Sequence, residues 1–196
     1  MITARPLQFH LRGVSVHVTT RKASATQGFA LIDLIFVCGI IGVLATIALP
    51  RLLLAKQAAG AASAIGSMRA ISSAELTFAL TCGGGFYAPN LTTLGAAPPA
   101  SHEAFISESL ATADTVTHAG YIVQLTATPF PGAPASCNGL ALGDGGQAFK
   151  AGADPADPNN SRFFATNANA QIFEDTASLY AAMPEVGDPA AGHLLR

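Results

Sequence analysis

The chain has 196 residues, half of them hydrophobic and 11% charged, with ten basic and twelve acidic side chains and a net charge of −2. That length suits one membrane helix plus one small globular domain. The charge balance argues against nucleic-acid binding driven by bulk charge, and nineteen glycines with twelve prolines argue against an all-helical chain.

Residues 1–28 read as a targeting leader, with Arg5, Arg12, Arg21 and Lys22 and no acid. Positive charge ahead of a first helix keeps that side cytoplasmic, so the bulk of the protein is expected to face outward. From Phe29 to Leu49 runs a stretch of 21 residues in which Asp33 is the one charged side chain. As a helix at ~1.5 Å per residue it is roughly 31 Å long, enough to cross a bilayer core. Pro50 then interrupts the hydrogen-bond ladder, and Arg51 and Lys56 restore charge. Residues 29–50 are therefore expected to form a membrane helix kinked at Pro50.

An aspartate inside hydrocarbon costs about 2.5–3.5 kcal/mol on insertion scales, so Asp33 needs a reason. A cut after Gly28 would place a new amino group on Phe29, one helical turn from that carboxylate. The junction Gly28-Phe29-Ala30-Leu31-Ile32-Asp33, its basic flank and the later Ala48-Leu49-Pro50 resemble the precursors of type IV pilins and type II secretion pseudopilins. Asp33 stands where that family usually has glutamate, and its reach is one methylene shorter. The resemblance covers about residues 21–55. It implies cleavage between Gly28 and Phe29 by a prepilin peptidase, N-methylation of Phe29, and pairing of its amine with Asp33 during assembly. A secretory peptide is the rival reading, with the small residues Ala58 to Ala62 as its cleavage site. Its apolar core would usually be shorter, about 7–15 residues.

Within the apolar run, Gly39, Gly42 and Ala45 recur every third residue. Small residues on one strip let helices approach closely in a membrane, and they are also ordinary transmembrane composition. Residues 51–82 read as the amphipathic half of the helix. Leu54, Ala58, Ala61, Ile65, Met68, Leu76 and Ala79 make the strip, with Arg69 and Glu75 off it. The stop is expected near Cys82-Gly83-Gly84-Gly85.

Residues 83–196 are expected to form the globular head. Residues 86–118 read as a connection with short helices at Leu91–Leu94 and Phe105–Ala111. Tyr121 to Ala127 alternates as a half-buried strand, Gln147 to Ala151 is a second, and Arg162–Thr166 with Gln171–Glu174 form a hairpin around Asn167-Ala168-Asn169. The tail from Ala181 reads as irregular. The expected class is α+β, a long helix packed on a small antiparallel sheet of three or four strands.

Cys38 lies in the apolar run and reads as a small apolar side chain. Cys82 and Cys137 lie in the exported part, where an oxidising compartment would permit a disulfide; two free thiols are the alternative. No catalytic constellation emerges. Ser101-His102-Glu103 lacks a second histidine one turn later, since position 106 is Ile, and His118 has no evident partner. Asp154, Asp157, Asn159 and Asn160 cluster oxygen donors of the type calcium prefers, but not at EF-hand spacing. Some major pseudopilins carry calcium in a late loop, so Asp154, Asp157 and Asn159 are the metal candidates. A turn-forming polar loop is the favoured reading, with Asp144 and Asp175 able to join only if the fold gathers them.

The expected function is structural. The chain would be inserted once in the bacterial inner membrane, with its C-terminal domain periplasmic or extracellular. It would polymerise with copies of itself and other pilin-like subunits into a helical filament. A type II secretion pseudopilus is preferred over a type IV pilus for adhesion, motility or DNA uptake. The preference arises because a Cys82–Cys137 bridge would not staple the C-terminal loop. The rival from another class is a membrane-anchored exported enzyme or binding protein.

Overall fold

The computed structural model describes residues 31–195. Gly28 and Phe29, the expected processing residues, lie outside the described residues. The chain divides into two compact units between Ala45 and Thr46. One helix, α1 (Leu31–Thr81), runs through that boundary and through Pro50.

In the first unit, the described residues are helical, with large apolar side chains facing outward, among them Leu31, Ile35, Phe36 and Ile40.

In the second unit, α1 packs on an antiparallel sheet. Its buried positions include Ala61, Ala64, Met68, Ile71, Glu75 and Phe78, and Cys82 continues the row just past the helix end. Those spacings of three and four are one helical face. The expected strip is thus only partly correct: Leu54 and Leu76 are 65% and 54% exposed. The true face is rotated toward Ile71 and Phe78, whose volume fills the space over the sheet. Glu75, expected off the strip, is fully buried within it.

The helix ends as expected. The amides of Cys82 and Gly83 both donate to the Phe78 carbonyl, and that of Gly85 donates to Ala79. Gly84 takes φ +60°, and a Cβ on Gly83 would meet the Phe86 carbonyl oxygen at 2.2 Å. The chain can therefore reverse tightly onto the helix only with small residues there. Helix α2 (Leu91–Gly95) follows, capped by the Asn90 side chain, which accepts from the Thr93 amide at 2.9 Å. Helix α3 (Glu108–Ala111) is one turn, shorter than the expected Phe105–Ala111.

The sheet is a meander of six strands in chain order, against the expected three or four. They are β1 (Thr115–His118), β2 (Tyr121–Thr126), β3 (Lys150–Pro155), β4 (Phe163–Asn167), β5 (Ile172–Asp175) and β6 (His193–Leu194). Strand β1, placed in the connection by sequence, pairs with β2 through the two-residue turn Ala119-Gly120, both at positive φ. Strand β3 begins three residues later than expected, at Lys150. In the β4–β5 hairpin the left-handed residue is Ala170 (φ 57°), not an asparagine. Asn167 instead uses its side-chain oxygen to accept from the Asn169 amide at 3.1 Å.

The sheet has two covered faces. Tyr121, Val123, Leu125, Ala151, Ala153 and Phe164 belong to the core shared with α1. Ala165 and Phe173 point the other way and pack with Leu179 and Met183 of the C-terminal segment. That segment is irregular, as expected, yet it acts as a strap. The buried Asn167 side-chain amide donates to the carbonyls of Pro184 and Gly187, and the Glu185 carboxylate accepts from both the amide and the hydroxyl of Thr128. The tail then adds β6 to the edge of β5.

Candidate functional site

The candidate site is the exposed apolar helix, because it is the largest feature that the described chain leaves uncovered. An 18-residue window of α1 reaches a mean hydropathy of 2.6, and none of it is buried. Ile, Leu, Val and Phe side chains exposed together at about half or more of their surface make a patch of the kind that membranes or partner proteins cover. By length and composition the helix can cross a membrane.

Asp33 lies in the first described turn of α1. Ile35, Phe36, Gly39, Ile40, Val43 and Leu44 share one side of this stretch. A Cβ added at Gly39 or Gly42 would meet nothing within 4 Å. Within the described chain, therefore, no contact requires glycine at either position. Cys38, on the same stretch, is exposed and unbridged.

In the head, Cys82 and Cys137 form a disulfide with Cα atoms 4.9 Å apart, closing a separation of 55 residues. It ties the end of α1 to the long β2–β3 connection. Asn138 donates its side-chain amide to the carbonyls of Thr93 and Ala96, and Phe130 stacks on Phe86 with ring centroids 5.7 Å apart.

The candidate oxygen donors of the late loop make the following contacts. Asp154, on β3, accepts from the Ser178 hydroxyl at 2.6 Å, and its other carboxylate oxygen is buried without a partner. Asp157 accepts from the amide and side chain of Asn159, and these donors, with Gln57 and Lys56, hold its carboxyl below the usual range. Asp175 is turned to the amide of Thr176. Among the described residues no group of three or more His, Cys, Asp or Glu side chains could hold a metal ion.

His102 and Glu103 are exposed on a turn, and His118 is half-buried on β1. A groove of about 800 Å³ lies between α1 and residues 98–105, lined largely by small and hydroxyl side chains such as Ala70, Ser73, Thr77 and Thr81. Glu103 is its one ionisable lining residue apart from the bridged Cys137, so no acid–base pair converges there.

Sequence reasoning missed two polar positions that the fold uses. Glu75 is buried in the helix face, and Asn167 grips the C-terminal strap. The three-and-four spacing from Ala61 to Cys82 carried the signal for Glu75; no local signal marked Asn167. Comparisons with protein-family models, curated proteins and solved structures found no match.

Proposed function

We propose that the chain is a structural subunit of a pilus-like filament, and within that class a type II secretion pseudopilin. The observation that carries this reading is the coupling of an outward-facing apolar helix with Asp33 in its first described turn to a head whose own core is closed. Such a helix is soluble in a bilayer, and it can exchange lipid for the helices of neighbouring subunits. A heterologous contact repeated without closure gives a helical filament. The Gly28-Phe29 junction supplies the processing step, by prepilin peptidase, that would free an amine to meet Asp33.

The preference for a pseudopilin rests on the C-terminal segment. It is held by Asn167 and Glu185 through hydrogen bonds, while the disulfide lies at the end of α1. The C-terminal domain would then face the periplasm from the inner membrane.

Asp33→Ala tests the pairing. Membrane insertion should persist, because the change removes a charge from hydrocarbon, whereas filament yield in cells overproducing the subunit should collapse. Normal filament yield from that variant would refute the assembly role of Asp33.

A further inference from the structure

Among the described residues Glu75 is the one acidic or basic side chain that is fully buried. Its Oε2 accepts from the Ala88 amide at 2.8 Å, while its Oε1 has no hydrogen-bond partner. Ala88 is itself buried, and without the carboxyl its N–H would be orphaned in the core.

That single bond has reach. Next to Ala88, Tyr87 exchanges both backbone hydrogen bonds with Gly146, at 2.8 and 3.0 Å. The Pro89 carbonyl accepts from Ala127, and Gly145 accepts from Phe130. Glu75 therefore joins α1 to a lobe made of residues 83–89 and 127–147, which also carries Cys137 of the disulfide.

An ionised carboxylate with one donor is far costlier to bury than a neutral acid with one orphaned atom. Among the described residues no neighbouring charge offsets this. Arg69 on α1 is exposed, Tyr87 on the returning segment has its ring against Phe149, Glu108 on α3 is exposed, and Tyr121 on the sheet is bonded to Asn160. Burial accordingly raises the Glu75 pKa to about 8, opposed by the Ala88 N–H.

We propose that Glu75 is a proton-dependent latch. The neutral acid holds residues 86–89, and through them the lobe at 127–147, against α1; loss of its proton to solvent releases that lobe while the helix face and the sheet stay folded. The released carboxyl returns to the ordinary value of 4.5. The closed form thus binds the extra proton between about pH 4.5 and pH 8. Closure is fully favoured below that window, weakens as pH rises through it, and levels off above about pH 8.

The test is hydrogen–deuterium exchange on the full chain in detergent micelles from pH 5 to 9, with intrinsic exchange rates divided out. Protection of residues 86–89 and 127–147 should fall by about tenfold per pH unit up to about pH 8 and then flatten. Amides around Met68 and Ile71 and in β2–β4 should not follow. Glu75→Gln keeps an acceptor for Ala88 and should hold the lobe at every pH. PH-independent protection in the wild type, the same slope across the whole domain, or an unchanged slope in Glu75→Gln would each overturn the latch. Should that variant not fold, a carbon-13 titration of the wild-type Glu75 carboxyl decides. A midpoint near 8 accompanied by loss of the Ala88 amide's exchange protection supports the latch; a midpoint near 4.5, or one near 8 with that protection unchanged, overturns it.

Discussion

Asn167, fully buried at the end of β4, donates to the carbonyl of Gly187 at 2.6 Å, and so fixes the C-terminal strap to the far face of the sheet. The same side chain reaches Pro184, and the Ala168 amide donates to Glu185 at 3.2 Å. A side-chain amide thus supplies the donors that a regular strand would have supplied. Asn167→Ala should leave two carbonyls without these donors, lowering stability by about 1–3 kcal/mol. Limited proteolysis would then cut first between residues 184 and 190; wild-type resistance there would show that the grip is dispensable.

The disulfide is the second clasp. Replacing Cys82 and Cys137 together by serine removes a cross-link closing 55 residues, and should destabilise the head by about 4 kcal/mol. Denaturant unfolding of the full chain in detergent reads this directly, and a midpoint equal to that of the wild type would deny the bridge a stabilising role.

Two faces of one helix give a sharper comparison. Ile71 is fully buried and Leu76 is 54% exposed. Ile71→Ala should cost about 2–5 kcal/mol, while Leu76→Ala should stay within about 0.5 kcal/mol. Equal losses would mean that the packed face is wrongly assigned.

Arg162 and Glu174 form a bidentate pair between the start of β4 and β5, at 2.5 and 3.1 Å. The Arg162 guanidinium holds the Glu174 carboxyl below its usual range. Its contribution is therefore present above the ordinary glutamate value and is lost as pH falls through the lowered one. Because Arg162 is 45% exposed, screening limits the pair to about 0.2–1 kcal/mol. Glu174→Gln should cost that amount at pH 7 and progressively less as pH falls through the lowered value; a loss that does not shrink in acid would indicate packing in place of charge.

Much of the fold was legible in the sequence, for identifiable reasons. The apolar run from Phe29 to Leu49 and the triple glycine after Cys82 are local signals with few alternative readings. Alternation from Tyr121 to Ala127 marked β2 for the same reason. Strand β1 was hidden because Thr115–His118 buries one side chain, Val116, and its turn uses Ala119 at positive φ, which no composition rule anticipates. The helix face was misread at Leu76 because leucines at 54, 76 and 80 suit a membrane or an assembly as well as a core. Glu75 was misplaced although it sits on the three-and-four row from Ala61 to Cys82, because an acid there reads as solvent-facing until its partner is known, here the Ala88 amide thirteen residues on. Asp154 and Asp157 shared a short loop in sequence, but β3 commits the first to Ser178 while a local turn commits the second to Asn159.

The filament reading turns on one chemical event, cleavage between Gly28 and Phe29. Intact-mass and N-terminal analysis of the protein recovered from membranes measures it directly. The account predicts a chain beginning at N-methylated Phe29. A chain beginning at Met1 would make the helix a plain anchor, and one beginning beyond Ala58 would mean a released protein; either would contradict it.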